Sequence, residues 1–172
     1  FTATKKINYI YNTHGVKSQK IVTNGANIKT TDYLGGFQYE NAVLKYFPHA
    51  EGYVNFDSNV YKYVFNYTDN LGNIRVSYTK DESTGLPVMM EENHYYPFGL
   101  KHTNYNTTVL KLRGGATQPA ISGIYKYKYN GKELQDELGL NWYDYQARNY
   151  DPAIGRWMNI DPLAEKMRKY SP

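Results

Sequence analysis

The sequence predicts a mainly β protein, built of successive antiparallel hairpins and closed by one short C-terminal helix. Three observations carry that expectation. Apolar and aromatic residues recur with a period of two between turn signals. Three Asx-x-x-Gly steps punctuate these runs, and tyrosine supplies 20 of the 172 residues, so aromatic rings replace much of an ordinary aliphatic core.

In the first hairpin Ile7, Tyr9 and Tyr11 alternate with Asn8, Ile10 and Asn12. A turn at 12–15 leads into Val16, Ser18, Lys20 and Val22 on the return strand. The second unit is the clearest. Tyr61, Tyr63, Phe65 and Tyr67 share one face, residues 68–73 (TDNLGN) reverse the chain, and Ile74, Val76 and Tyr78 return. Residues 110–123 break the alternation with paired glycines, a proline and small polar residues, which reads as a surface loop. The expected organisation is one unit over 1–172, with hairpins over 1–105, a loop over 106–124 and a terminal segment over 125–172.

In the terminal segment Tyr125, Tyr127 and Tyr129 fall on one face, with Lys126 and Lys128 on the other, expected to be the wet side. Asn130-Gly131 then turns the chain. Residues 133–138 read as a further helical turn. After Asp161 the pattern changes to that of a helix over 162–170: Asp161 is an N-cap, Pro162 suits the first helical position, and Lys166, Arg168 and Lys169 complement the C-terminal dipole. Leu163 and Met167, four residues apart, would pack it against the sheet.

The Asx-x-x-Gly steps are Asn12 to Gly15, Asp69 to Gly72 and Asp136 to Gly139. An Asx oxygen accepts from backbone amides just ahead of it, and glycine takes the positive φ that closes the turn. The separations, 57 and 67 residues, are unequal, which describes a degenerate repeat with insertions. Asp151 to Gly155 reads as a proline-initiated turn.

Composition narrows the function classes. A net charge of +4 and a pI near 9.0 are spread along the chain, with local clusters only at 125–132 and 166–169, so a phosphate-binding track and a nucleic-acid partner are not expected. No apolar run approaches the ~20 residues of a membrane span. Phe1 is not an initiator methionine and no leader-like pattern follows it, so the chain reads as cut from a longer polypeptide that holds any targeting signal. The absence of cysteine removes disulfides and thiol chemistry.

Enzyme chemistry finds little footing. His14, His49, His94 and His102 lack ligand spacing, so neither a metal nor another cofactor is expected. Glu91-Glu92 and Asp136-Glu137 are adjacent pairs that would point to opposite faces of a strand, where catalytic carboxylates must converge; both pairs read as solvated. No nucleophile elbow or phosphate-cradling glycine motif occurs.

The run YKYKYNGKELQDELGLNWYDYQARNYDPAIGRWMNIDPLAE at 125–165 resembles the core signature of the Rhs and YD-repeat family. Family-like phrases also stand at 63–78 (YVFNYTDNLGNIRVSY) and 93–100 (NHYYPFGL), and Tyr9, Tyr11, Asn12 and Gly15 match its Tyr-x-Tyr-Asp-x-x-Gly pattern with asparagine for aspartate. The resemblance implies a spiral β shell, part of a secreted or cell-surface bacterial toxin, that encloses a C-terminal toxin lying outside this chain. The implied partners are the rest of that shell and that toxin. Family shells often end in a self-cleaving aspartyl site made of two Asp-Pro-x-Gly segments. Here Asp161-Pro162 stands in the place of the first, but Leu163-Ala164 departs from its pattern and no second segment follows before Pro172, so Asp161 is expected to cap and not to catalyse.

A carbohydrate-binding module is the alternative, with a surface glycan as partner and Trp142, Tyr143, Tyr145 and Trp157 as stacking residues. In the shell reading Trp142 and Trp157 are instead expected to be substantially buried. Single-stranded nucleic-acid binding, which needs aromatic platforms along a continuous basic groove, is the least supported class.

Overall fold

A computed structural model describes residues 4–57, 59–103, 109–111, 117–119, 125–164 and 166. Nine strands follow one another as an antiparallel meander in sequence order. They are β1 (Lys5–Tyr11), β2 (Lys17–Asn24), β3 (Asn27–Leu34), β4 (Phe37–Glu40), β5 (Val43–His49), β6 (Gly52–Asp57), β7 (Val60–Thr68), β8 (Ile74–Lys80) and β9 (Pro87–Glu92). A two-stranded ladder, β10 (Val109–Lys111) with β11 (Thr117–Pro119), falls in the expected loop, whose other residues lie outside the described ones. The second main sheet holds β12 (Tyr127–Tyr129), β13 (Lys132–Gln135), β14 (Trp142–Asp144), β15 (Asn149–Asp151) and β16 (Arg156–Trp157).

The three hairpins read from alternation are present: β1 with β2, β7 with β8, and β12 with β13. Local chemistry closes them. Asn130 and Gly131 both take positive φ, 49° and 62°, the combination that matches the right-handed twist of a two-residue hairpin turn.

Which face became the core differs from the tyrosine pattern. On β7 the tyrosine face looks outward, with Tyr63 60% exposed, while Val64 between them is 0% exposed. Val64 joins Tyr46, Tyr53 and Met90 in a core cluster, and Tyr125 and Tyr127 pack onto it from the second sheet. The outward rings cover one another, as in the stacked pairs Phe37–Phe47 at 4.8 Å and Phe65–Tyr78 at 5.6 Å. A wet aromatic face is stable because cross-strand ring pairs hide much of their own surface and leave the hydroxyls in water.

The five-stranded sheet lies across the inward face of the meander, and this changes two further expectations. Lys128, expected on a wet side, is 8% exposed because β12 is covered on both faces. Glu91, expected to be solvated, is also buried: the irregularity at Ser77/Tyr78 pairs Ser77 with Glu91 and Tyr78 with Met89, so Met90 is the extra residue and both it and Glu91 are buried.

The helical expectations are corrected as well. Residues 132–135 form a strand, and only Glu137–Gly139 makes a 3₁₀ turn. Of the helix expected over 162–170, the described residues form turns: the Ala164 amide donates to Asp161 O and the Lys166 amide to Leu163 O, both at 3.0 Å. The Asp161 side chain does accept from the Leu163 amide at 2.9 Å. Its capping chemistry is therefore used in a turn closed by i to i+3 bonds. Residues 165 and 167–170 lie outside the described residues.

Candidate functional site

The seam between the two sheets gathers the most unusual chemistry of the chain. Strands β2 and β3 turn Lys20 and Tyr33 inward, and β13 answers with Glu133 and Gln135, two residues of the same parity. Lys20, 2% exposed, places its Nζ 3.1 Å from Glu133 Oε1, 3.0 Å from Gln135 Oε1 and 2.6 Å from Glu137 Oε1. Lys17 Nζ bridges Glu133 Oε2 at 2.5 Å and Asp144 Oδ2 at 2.6 Å. The Tyr33 hydroxyl donates to Glu133 Oε1 at 2.7 Å.

Burial sets the protonation of this network. It pulls the Lys17 ammonium down, but Glu133 and Asp144 outweigh it and hold the group above its ordinary range. Burial, then the Glu133 carboxylate, pushes the Tyr33 hydroxyl far up, so it remains a donor. Glu133 is thus held by two cations and a hydroxyl. The arrangement makes a fixed cross-link between sheets, because every donor that could move a proton is already committed to a partner.

The seam continues through stacked rings, with Tyr53 and Tyr125 at 4.3 Å and 1° and Tyr46 edge-on to Tyr125 at 5.1 Å. The Gln38 side chain donates to the Tyr127 hydroxyl at 2.9 Å. Beyond the rings, Glu91 pairs with Lys101 at 2.9 Å and closely with Lys128. Burial raises the Glu91 carboxyl, and the two lysines outweigh it and bring it below the usual range.

A further cluster joins the family-like phrases to one another. The hydroxyls of Tyr129, Tyr150 and Tyr143 donate to three successive carbonyls, Pro97 at 3.5 Å, Phe98 at 3.1 Å and Gly99 at 3.2 Å. Gly99 sits at φ 87°, and an added Cβ would stand 2.5 Å from the Tyr129 ring. The Asn130 amide donates to Asn73 Oδ1 at 2.9 Å, so residues from all three phrases meet.

The structure separates the residues singled out in the sequence. Asn12 and Asp69 share one geometry: Oδ1 accepts from the amides two and four residues ahead, and the glycine three ahead donates to the Asx carbonyl. Asp136 differs. The Gly139 amide reaches its carbonyl at 3.3 Å, but its side chain makes no cap bond and pairs with Lys126 instead. Asp151 Oδ1 accepts from the Ala153 amide at 2.8 Å, and Gly155 packs against Phe98. Asp161 pairs with Arg148 at 3.1 Å.

The four aromatic residues of the sugar-binding alternative do not assemble into a flat platform. Tyr143 is buried, and Trp142 donates its Nε1–H to Asp151 Oδ2 at 3.2 Å. Tyr145 meets Trp157 edge-on at 83°, and the Arg148 guanidinium lies 4.2 Å from the Trp157 ring centre. Trp142 is half-buried, while Trp157 is 41% exposed, which corrects the expectation of substantial burial for Trp157. The edge position of β16 leaves one side of Trp157 uncovered.

Sequence reading missed Lys17, Lys20, Tyr33, Glu91 and the 97–99 carbonyls. A signal existed for Lys20, a cation at the same parity as Val22. Among the described residues no group of three or more His, Asp or Glu side chains could hold a metal, and no helix is long and apolar enough to cross a membrane.

No family model matches the chain. Salivary gland surface protein 1 of Aedes aegypti is 26% identical over a 149-residue alignment that covers 67% of this chain and 4% of that protein. Toxin subunit YenC2 of Yersinia entomophaga is 38% identical over 82 residues, 47% of this chain and 7% of the subunit. Among solved structures, TcdB2-TccC3 without its hypervariable C-terminal region has a TM-score of 0.59 at 20% identity, and TcdB2-TccC3-Cdc42 a TM-score of 0.61 at 19%. Each similarity covers 91% of this chain and 8% of the solved chain. The chain therefore spans only a small fraction of each relative.

Proposed function

We propose that the chain is a noncatalytic wall segment of a secreted or surface toxin shell of the Rhs and YD-repeat kind, a reading supported by its sequence resemblance to that family and by the fold it shares with TcdB2-TccC3. Its 172 residues act as one unit in which the terminal segment closes the meander, and the shell it belongs to encloses a toxin carried by the same polypeptide. One observation carries the reading: the chemistry of the seam, Lys20 with Glu133 and the Tyr129, Tyr143 and Tyr150 hydroxyls on residues 97–99, serves to join the terminal segment to the meander and to the stretch that follows it. A wall needs such joints. Its work is to exclude water and proteases across a continuous surface, and that asks for fixed cross-links in place of a reactive centre.

The test uses the full-length polypeptide that carries this segment. Limited proteolysis should leave the enclosed toxin intact, and Lys20→Ala together with Tyr143→Ala should expose it at enzyme concentrations that spare the parent. Digestion of the toxin region at equal rates in parent and variant would overturn the enclosure.

A further inference from the structure

A pocket of about 260 Å³ opens at the edge of the seam, where edge strand β1 meets the segment between β13 and β14. Ile7 and Tyr9 line it from β1, Leu138 and Leu140 from the segment between β13 and β14, and Trp142 from the start of β14. It touches the Lys20 joint at one residue, Gln135. An apolar cavity of about 150 Å³ accepts benzene, so this one has room for an aromatic ring with a short polar arm.

Three features give the guest its chemistry. Gln135, 2% exposed, also lines the pocket, and its Oε1 accepts from Lys20 Nζ and the Tyr9 hydroxyl. An ammonium has no lone pair, so this contact fixes which end of the amide is oxygen. The buried Nε2 is then left as a donor with no hydrogen-bond partner. Lys5 and Lys6, both exposed and without an ion-pair partner among the described residues, stand at the pocket as well. Leu138 adopts φ 54° and ψ 18°, a left-handed conformation that crowds the Cβ of leucine, and it does so in the pocket wall.

We propose that this pocket binds a small arylalkyl carboxylate. The ring lies among Tyr9, Leu138, Leu140 and Trp142, one carboxylate oxygen accepts from Gln135 Nε2, and the charge faces Lys5, on the same side of β1 as Ile7 and Tyr9, with the Lys6 charge adding to the field from the opposite side. The Trp142 Nε1–H is already donated to Asp151, so that side chain offers its ring and not a polar atom.

The experiment titrates 3-phenylpropionate, 3-phenylpropanol and 3-phenylpropylamine into isotope-labelled protein and follows the Gln135 side-chain amide and the Trp142 indole N–H by NMR. Saturable shifts of both signals with the acid, weaker binding of the alcohol and weakest binding of the amine are expected. Lys5→Glu with Lys6→Glu should weaken the acid by roughly two- to fivefold per lysine, as for partly exposed ion pairs, while leaving the fold intact. Leu138→Gly accepts the left-handed φ without strain and removes a wall, so it too should weaken binding. Should that variant fail to fold, the two exposed lysines still decide the matter. Absence of saturable shifts at Gln135 and Trp142, equal binding of acid and amine, or an unchanged affinity in the lysine variant overturns the proposal.

Discussion

At Gly72 the backbone takes φ 77°, and nothing lies within 4 Å of the place a Cβ would occupy. The cost of a side chain there is conformational and not steric. Gly72→Val is therefore expected to destabilise by about 1–3 kcal/mol, and Gly72→Asn by distinctly less, since asparagine tolerates the left-handed region. Chemical denaturation of the three proteins checks this, and equal midpoints would remove the glycine argument. Asp69, in the same turn, is pushed up by burial but held down by the Asn73 amide and side chain, Arg75 and the Leu71 amide, bringing it from the usual 3.8 to about 2. A carboxyl depressed in the folded state adds stability that is fully present above pH ~4 and lost as pH falls towards 2. NMR titration should find Asp69 among the most acidic carboxyls, and Asp69→Asn should flatten the loss of stability over that interval.

Between elements, the seam is the sensitive place. Lys20→Met would leave Glu133 and Glu137 buried with one cation fewer, and the loss is expected to be about 3–5 kcal/mol, as for a broken buried pair. Lys29→Met, whose partner Glu40 is partly exposed, should cost under about 1 kcal/mol. Comparable effects at the two sites would show that the sheets are not held by the Lys20 network. The aromatic residues separate in the same way. Tyr143→Ala removes a 2% exposed ring and its bond to Gly99 and should cost about 3–5 kcal/mol. Trp157→Ala, at a sheet edge, should cost roughly 1–2 kcal/mol, since only part of its surface leaves water.

For the whole molecule the terminal segment acts as a lid on the meander. Removing residues 125–172 would uncover Lys20, Tyr46, Tyr53 and Val64 together, a face that is neither apolar enough to dimerise cleanly nor polar enough to remain wet. The truncated chain is expected to lose its cooperative unfolding transition and to bind a hydrophobic dye; a sharp melt would show that the nine strands need no cover. The intact chain is expected to keep one mass on prolonged incubation, because Asp161 is engaged by the Leu163 amide and Arg148. A specific fragment that disappears in Asp161→Asn would make that residue a catalyst.

Sequence alone determined where three of the hairpins and their turns lie, since alternation, Asx oxygens and positive-φ glycines are local properties: the 12–15, 69–72 and 130–131 reversals are all where the pattern places them. It did not determine which side of each strand is the inside. Both faces of β7 carry residues that suit a pleated surface, and a chain in which tyrosine does the apolar work offers no oily stripe to point inward. The choice fell to residues some hundred positions apart, when Glu133, Gln135 and Tyr125 met Lys20, Tyr33 and Tyr53. A buried lysine is tolerable only beside those carboxylates, so its place is a property of the docked sheets and of no single strand. The turns at 161–164 show the same limit from the other side: capping chemistry is local, but a marginal helix needs a packed face to persist.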